Sequence, residues 1–261
     1  MTRNDRSSLA KKKFGQNFLN DESVLVQIVQ SMPHNTNTIV EIGPGLGDLT
    51  KHLVRVKRVT AFEVDTDLCR HLEQTFSKEL TDKTLTLRCG DVLEQWSDWL
   101  IDESYDLVAN LPYYIATNII LRALADSKCQ NLLVMVQREV AEKFVAASGD
   151  REFCALSVIT QSIATAQIVL DVAPSSFDPP PKVDSSVMLI SKHTTHKDEN
   201  FENFLRLAFS QKRKTLYKNI SPMYSGDVIA DAFIRLNLDR NIRPHQLDTD
   251  DFHQLYEILE K

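Results

Sequence analysis

The chain lacks most of what would take it out of the soluble enzymes. No apolar run approaches the roughly 18 residues that a membrane-crossing helix requires, although 43% of the residues are hydrophobic. Met1 to Lys13 is polar and basic with no apolar stretch, so no secretory signal is expected and a cytoplasmic location is. Cysteine is sparse: Cys69, Cys89, Cys129 and Cys154 are scattered without a C-x-x-C pair. Neither a zinc site nor a redox centre is therefore expected, and the thiols are read as reduced and mostly buried. His193 and His196 lie in a polar stretch with no nearby Cys or paired carboxylates, which reads as a solvated linker and not as a metal site.

A net charge of -6 argues against a nucleic-acid partner. Its distribution argues the other way. The first twenty residues carry Arg3, Arg6, Lys11, Lys12 and Lys13 against Asp5, and the segment from Asn203 to Gly226 carries Arg206, Lys212, Arg213, Lys214 and Lys218 against no acid. Two basic patches on an acidic body fit steering toward phosphate, while either one alone would pass for a solvated surface.

Seven apolar segments predict strands: Thr38 to Ile42, Val59 to Phe62, Thr84 to Arg88, Tyr105 to Ala109, Leu132 to Gln137, Ile168 to Val172 and Ser186 to Ile190. Amphipathic segments alternate with the first five, which predicts an α/β sheet, mostly parallel. The first strand runs into Gly43-Pro44-Gly45-Leu46-Gly47. Glycines there allow a tight turn and let backbone amides approach a ligand at a helix start. The dinucleotide fingerprint G-x-G-x-x-G is missing, because Gly47 falls one place early and Asp48 occupies the expected position. A nicotinamide dehydrogenase is disfavoured. Glu63, at the end of the second strand, can accept both hydroxyls of a ribose, so the loop suits a mononucleoside without a pyrophosphate.

Asp91 follows the third strand and Asn110-Leu111-Pro112-Tyr113 follows the fourth. In isolation Asp91 is a turn or helix cap, and the tetrapeptide is an ordinary strand-to-helix turn. Together Gly43, Glu63, Asp91 and Asn110 sit at the ends of four successive strands, so they share the sheet edge where open α/β folds bind ligands. An amide, backbone carbonyls and an aromatic ring there can grip a flat base and orient its amine. The proline-dense run Phe177-Asp178-Pro179-Pro180-Pro181-Lys182-Val183-Asp184-Ser185 stiffens a loop and keeps it from pairing as a strand, holding Phe177 on a rigid post.

The chain divides by pattern into a basic arm and aromatic loop over 1–20, an α/β domain over 21–192 and a helical region over 193–261. Helices are expected there at Phe201 to Phe209, Gln211 to Ile220, Val228 to Leu236 and Asp250 to Leu259, with Lys212-Arg213-Lys214 on an exposed face.

Five segments in order, Phe14-Gly15-Gln16-Asn17-Phe18-Leu19, the glycine loop, Asn110-Leu111-Pro112-Tyr113, the proline-rich run and Ala208-Phe209-Ser210-Gln211-Lys212-Arg213-Lys214-Thr215, closely resemble the small-subunit ribosomal RNA adenine dimethyltransferase family. The resemblance spans essentially the whole chain. It implies a Rossmann-like methyltransferase fold with a seven-stranded, mostly parallel sheet and a small C-terminal helical domain that binds RNA. It implies transfer of methyl groups from S-adenosylmethionine to N6 of two adjacent adenosines in a hairpin near the 3′ end of that RNA, in the course of small-subunit biogenesis. Cofactor contacts are then expected at Asn17, Leu19, Gly43, Glu63, Asp91 and Asn110, joined by Gly45 of the glycine loop. Catalysis is assigned to Asn110, Leu111, Pro112, Tyr113 and Phe177, with Tyr113 and Phe177 sandwiching the base. RNA contacts are assigned to Lys11, Lys12, Lys13, Arg206, Lys212, Arg213, Lys214 and Lys218. A monomer without metal is expected, with small-subunit RNA or its precursor particle as partner.

The chain departs from the family pattern at Tyr114, where an Asn is usual, and at Phe153-Cys154, where a Tyr-Gly pair is usual. Its sibling group, the dimethyltransferases of large-subunit RNA, shares the tetrapeptide, and Lys182-Val183-Asp184-Ser185 favours the small-subunit family. A DNA adenine methyltransferase is disfavoured by Leu111 and by the helical tail. A ribosome-assembly factor with idle chemistry is disfavoured by the intact glycine loop and acids.

Overall fold

The computed structural model describes residues 16–195 and 198–261; Lys11, Lys12 and Lys13, assigned above to RNA, lie outside the described residues. The protein divides into two units, one taking the chain up to Ala141 and again from Gln167 to Thr195, the other taking Glu142 to Ala166 and His196 to Lys261. The elements run β1 (Phe18–Leu19), α1 (Glu22–Gln30), β2 (Thr38–Ile42), α2 (Thr50–Leu53), β3 (Val59–Glu63), α3 (Thr66–Thr75), α4 (Ser77–Thr81), β4 (Leu85–Cys89), α5 (Val92–Gln95), β5 (Tyr105–Asn110), α6 (Ala116–Ala125), β6 (Cys129–Gln137), α7 (Arg138–Val145), α8 (Ala155–Ile163), β7 (Ala164–Val172), β8 (Phe177–Asp178), β9 (Ser185–Lys192), α9 (Glu199–Ala208), α10 (Leu216–Ile220), α11 (Gly226–Arg235) and α12 (Thr249–Leu259). Among the described residues no helix is long and apolar enough to cross a membrane.

All seven expected strands form one sheet in the order β4-β3-β2-β5-β6-β9-β7. The run β4 to β6 is parallel, and β9 lies antiparallel to β6. Every residue of β2 and β3 is buried, the signature of parallel strands covered on both faces. Because β4, β3, β2 and β5 are parallel, their carboxyl ends come to a single edge. Local chemistry sets the helix starts that feed from it: Asp65 caps α3 by accepting from the Asp67 amide, and Asp91 caps α5 by accepting from the Leu93 amide.

Two expectations are corrected in this unit and one unexpected element is added. Phe177–Asp178 does pair as a strand, antiparallel to Phe18–Leu19, because it precedes the prolines and keeps both its amide protons. The segment from Ser77 to Thr81 is a helix, which its sequence, lacking a strong apolar period of its own, does not announce. The cysteines are not all reduced: Cys69 on α3 and Cys89 at the end of β4 form a disulfide, whereas Cys129 and Cys154 are free. Their separation of 20 residues matches no spacing motif, but the pairing of Glu63 with Cys89 in the sheet puts the end of β4 beside the start of α3. Alkylation of unreduced, denatured protein should therefore add two groups and full reduction should raise this to four; four groups without reductant would rule the bridge out.

The second unit claims residues 142–166, which the sequence pattern assigns to the α/β domain. Its aromatic core explains why. Phe153 packs edge-on against Phe209, Phe209 against Phe252, and His253 stacks on Phe201 at 4.2 Å while sharing a 2.8 Å hydrogen bond with Ser162. Gln161 donates to the Ala146 carbonyl and accepts from the Thr249 hydroxyl. These ties link sequence-distant pieces, so no local pattern announces them. Cys154 takes an extended backbone, φ -157°, and its amide donates to Ser157 Oγ at the start of α8; this position has no need of glycine. Lys212-Arg213-Lys214 sits on an exposed turn and not on a helix, since α10 begins only at Leu216 after its cap Thr215. The Asn219 side chain holds that turn by donating to the carbonyls of Ala208 and Gln211.

Candidate active site

At the shared strand edge a cavity of roughly 1120 Å³, counted with its open mouth, is lined by residues of five separate segments. Asn17, Leu19, Gly43, Gly45, Glu63, Asp91, Asn110, Leu111, Pro112 and Tyr113 all contribute to it. Backbone of the glycine loop, carboxylates, a carboxamide and apolar side chains give it the mixed lining of a small-molecule site. Of the residues assigned to the cofactor and to catalysis, Phe177 alone falls outside the lining.

The glycine loop shapes the floor. Gly45 adopts φ +61°, and a Cβ there would stand 3.1 Å from the Phe18 ring. A side chain at this position would thus be strained twice, by backbone and by contact. The Gly45 amide donates to Glu63 Oε2 at 3.1 Å, and the Asp65 amide donates to Oε1 at 2.9 Å. Two backbone donors fix the carboxylate plane and leave each oxygen with lone-pair capacity toward the cavity. Glu63 is 3% exposed, and its burial pushes the carboxyl above the usual range despite those two donors.

Glu41, on β2, also lines the cavity and is absent from the sequence-derived set. Burial pushes it up to about 8, the Thr50 hydroxyl opposes this by donating to Oε2 at 2.7 Å, and the nearby Glu63 charge adds to it. The signal that could have found it is a lone acid inside an apolar strand leading into the glycine loop. Asp91 caps α5 through the Leu93 amide at 2.8 Å and also lines the cavity.

Asn110 is oriented by its own donor end. Its Nδ2 donates to the Asn17 carbonyl at 3.3 Å, so Oδ1 is the end left to serve as an acceptor. The backbone sharpens the assignment of the next acceptor. The Leu111 amide is held by the Met135 carbonyl at 3.1 Å, and the Ile115 amide donates to the Pro112 carbonyl at 3.1 Å, closing the turn into α6. The Pro112 carbonyl is thereby engaged, which favours Leu111 as the backbone acceptor. Tyr113 is half-buried and its hydroxyl lies 2.6 Å from Ser185 Oγ. Burial raises the phenol above its ordinary pKa, partly opposed by Ser185. The Asp184-Ser185 part of the proline-rich motif thus acts as a bracket: Asp184 accepts from the Arg138 amide through its carbonyl and Ser185 pins the Tyr113 ring.

Phe177 differs from the rigid-post expectation. Its side chain is fully buried in the core and its backbone pairs with Leu19. Its backbone partner Leu19 is a lining residue, whereas Phe177 itself is not. The basic residues Arg206, Lys212, Arg213, Lys214 and Lys218 all lie exposed in the second unit; Arg206 pairs with Glu202 at 3.6 Å, and Lys212 reaches the Arg151 carbonyl.

The comparisons agree across the chain. Residues 7–261 match the family model described as ribosomal RNA adenine dimethylase. A protein of Sulfurimonas denitrificans named ribosomal RNA small subunit methyltransferase A is 61% identical over 96% of this chain and 94% of its own length. Its namesake in Aliarcobacter butzleri is 49% identical over 95% of both. Among solved structures, a dimethyladenosine transferase from Plasmodium falciparum superposes with a TM-score of 0.78 at 24% identity, covering 91% of this chain and 95% of that one. The 23S rRNA methyltransferase ErmE superposes with a TM-score of 0.74 at 22% identity, over 94% of this chain and all of its own. At those identities the structures speak for the fold alone, a Rossmann-like methyltransferase. The model match and the close relatives decide the rest: this chain belongs to the ribosomal RNA adenine dimethylase family.

Proposed function

We propose that the protein dimethylates N6 of two adjacent adenosines near the 3′ end of small-subunit ribosomal RNA, using S-adenosylmethionine, and that it does so as a single chain in the cytoplasm during assembly of the subunit. The observation that carries the chemistry is the fixed orientation of Asn110, whose amide nitrogen is spent on Asn17 so that its oxygen is left for a ligand.

The residues present fit the cofactor. Glu63 has acceptor capacity for the ribose hydroxyls, Asp91 for the adenine amine, and Gly43 and Gly45, both at positive φ, bring bare backbone into the lining. Asn17, Leu19, Gly43 and Asn110 complete the set. When bound, the cofactor supplies an electrophilic methyl group on a sulfonium.

The chain's own part is to present the amine. The N6 lone pair of adenine is delocalised into the ring, which makes it a poor nucleophile. Asn110 Oδ1 and the Leu111 carbonyl accept its two hydrogens, drawing the nitrogen toward a tetrahedral shape and localising the lone pair. No strong general base is required, since the methylated amine is cationic and sheds its proton readily. Tyr113, held by Ser185, offers one face for stacking, worth about 1 to 3 kcal/mol per base and comparable to the few kcal/mol needed to extract a base from its stack.

The exposed Lys212, Arg213 and Lys214 are assigned to the RNA backbone, with Arg206 and Lys218 beside them in sequence. Changing the three to alanine should weaken RNA binding and lower the slope of log affinity against log salt by about one unit for each phosphate that is no longer neutralised. Filter binding across a salt series measures this, and an unchanged slope would remove the patch from the interface.

A further inference from the structure

Tyr113 and Tyr114 are neighbours in sequence with opposite fates. The Tyr113 hydroxyl is fixed to Ser185, whereas among the described residues the Tyr114 hydroxyl has no hydrogen-bond partner. Tyr114 lines the cavity yet is 60% exposed, among the most exposed large hydrophobic side chains of the described residues. It shares the lining with Glu63, Val64, Gly90 and Asp91, the ends of β3 and β4. Partial burial raises the pKa of its phenol, and the charges of Asp91 and Glu63 add to this. A large ring kept uncovered beside two acids that await a nucleoside is a surface lacking a partner of its own kind.

We propose that Tyr114 is a cofactor-binding residue, its ring stacking on the purine of S-adenosylmethionine and closing the adenosyl half of the cavity. The inference rests on the cofactor reading above and adds a residue to it. It also divides the tandem tyrosines by substrate: Tyr113 serves the target base and Tyr114 serves the cofactor. Aromatic rings suit this task because every purine presents a π face and two χ angles cost little entropy to order.

Calorimetric titration of the full chain with S-adenosylmethionine, S-adenosylhomocysteine and methylthioadenosine tests it without reference to turnover. Tyr114→Ala should weaken all three by about tenfold, roughly 1.4 kcal/mol, because all three carry the purine. Tyr114→Phe, which keeps the ring, should stay within about threefold of the wild type. The Michaelis constant for RNA should be unchanged in both. Wild-type binding with no loss in Tyr114→Ala would overturn the proposal and leave the cofactor reading standing. Equal losses in the Ala and Phe variants would overturn stacking, and an effect confined to RNA would move Tyr114 to the target side. Failure of the wild type to bind any of the three would overturn the cofactor reading itself and the proposal with it. Because Tyr114 is exposed, unfolding temperatures of the free variants should match the wild type.

Discussion

Asn110→Ala should slow methylation by about 10²- to 10³-fold under single-turnover conditions, the range expected when a pre-oriented polar group that aids the transition state is removed. The loss should appear in the chemical step, with cofactor affinity changed far less. The reasoning is positional. Asn110 ends β5, its donor end is tied to the Asn17 carbonyl at 3.3 Å, and the next residue is anchored to Met135. The oxygen is therefore held before substrate arrives, and no reorganisation is charged to the reaction. Asn110→Asp keeps an acceptor but cannot donate to Asn17, so it should fall between alanine and the wild type. A rate for Asn110→Ala within about threefold of wild type, far below the effect expected, would contradict the role.

The second large effect is on the cofactor. Glu63→Ala should weaken S-adenosylmethionine binding by about a hundredfold, because hydrogen bonds to a charged acceptor contribute roughly 1.5 to 3 kcal/mol each. Its pH dependence has a definite sign. Burial raises the Glu63 pKa in the free protein, and in the proposed role the ionised form accepts both ribose hydroxyls. Affinity should thus rise with pH through a midpoint above the ordinary carboxylate range and fall as pH is lowered, with proton release on binding. Glu63→Gln should flatten this profile while retaining an oxygen for the Gly45 amide. Titrations at several pH values, in buffers of different ionisation enthalpy, measure both features. A wild-type profile as flat as that of Glu63→Gln would contradict the assignment.

How much of this is legible from residues alone follows from range. Gly43, Glu63, Asp91 and Asn110 can be placed on one edge because each follows a short apolar run, and parallel strands carry their ends to a common side. What escapes depends on ties between distant positions. Phe177 reads from its prolines as a post, yet its fate is set by pairing with Leu19, more than 150 residues earlier. The bridge between Cys69 and Cys89 follows from the register of β3 on β4, which composition does not reveal. The choice of Leu111 over Pro112 as acceptor turns on a single turn hydrogen bond from Ile115. Residues 142–166 read as part of an α/β alternation, but Phe153 and Gln161 tie them to α12 and its neighbours in the helical unit.

The most direct test of the account is to incubate the purified protein with isotopically labelled S-adenosylmethionine and small-subunit RNA or particles that lack the modification. Nuclease fragments are then sequenced by mass spectrometry, with large-subunit RNA and DNA as parallel substrates. The account predicts label on two adjacent adenosines near the 3′ end of the small-subunit RNA, each converted to N6,N6-dimethyladenosine, and none in the parallel substrates. Label absent from that RNA while the protein still binds it, or label appearing in large-subunit RNA or DNA instead, would contradict it.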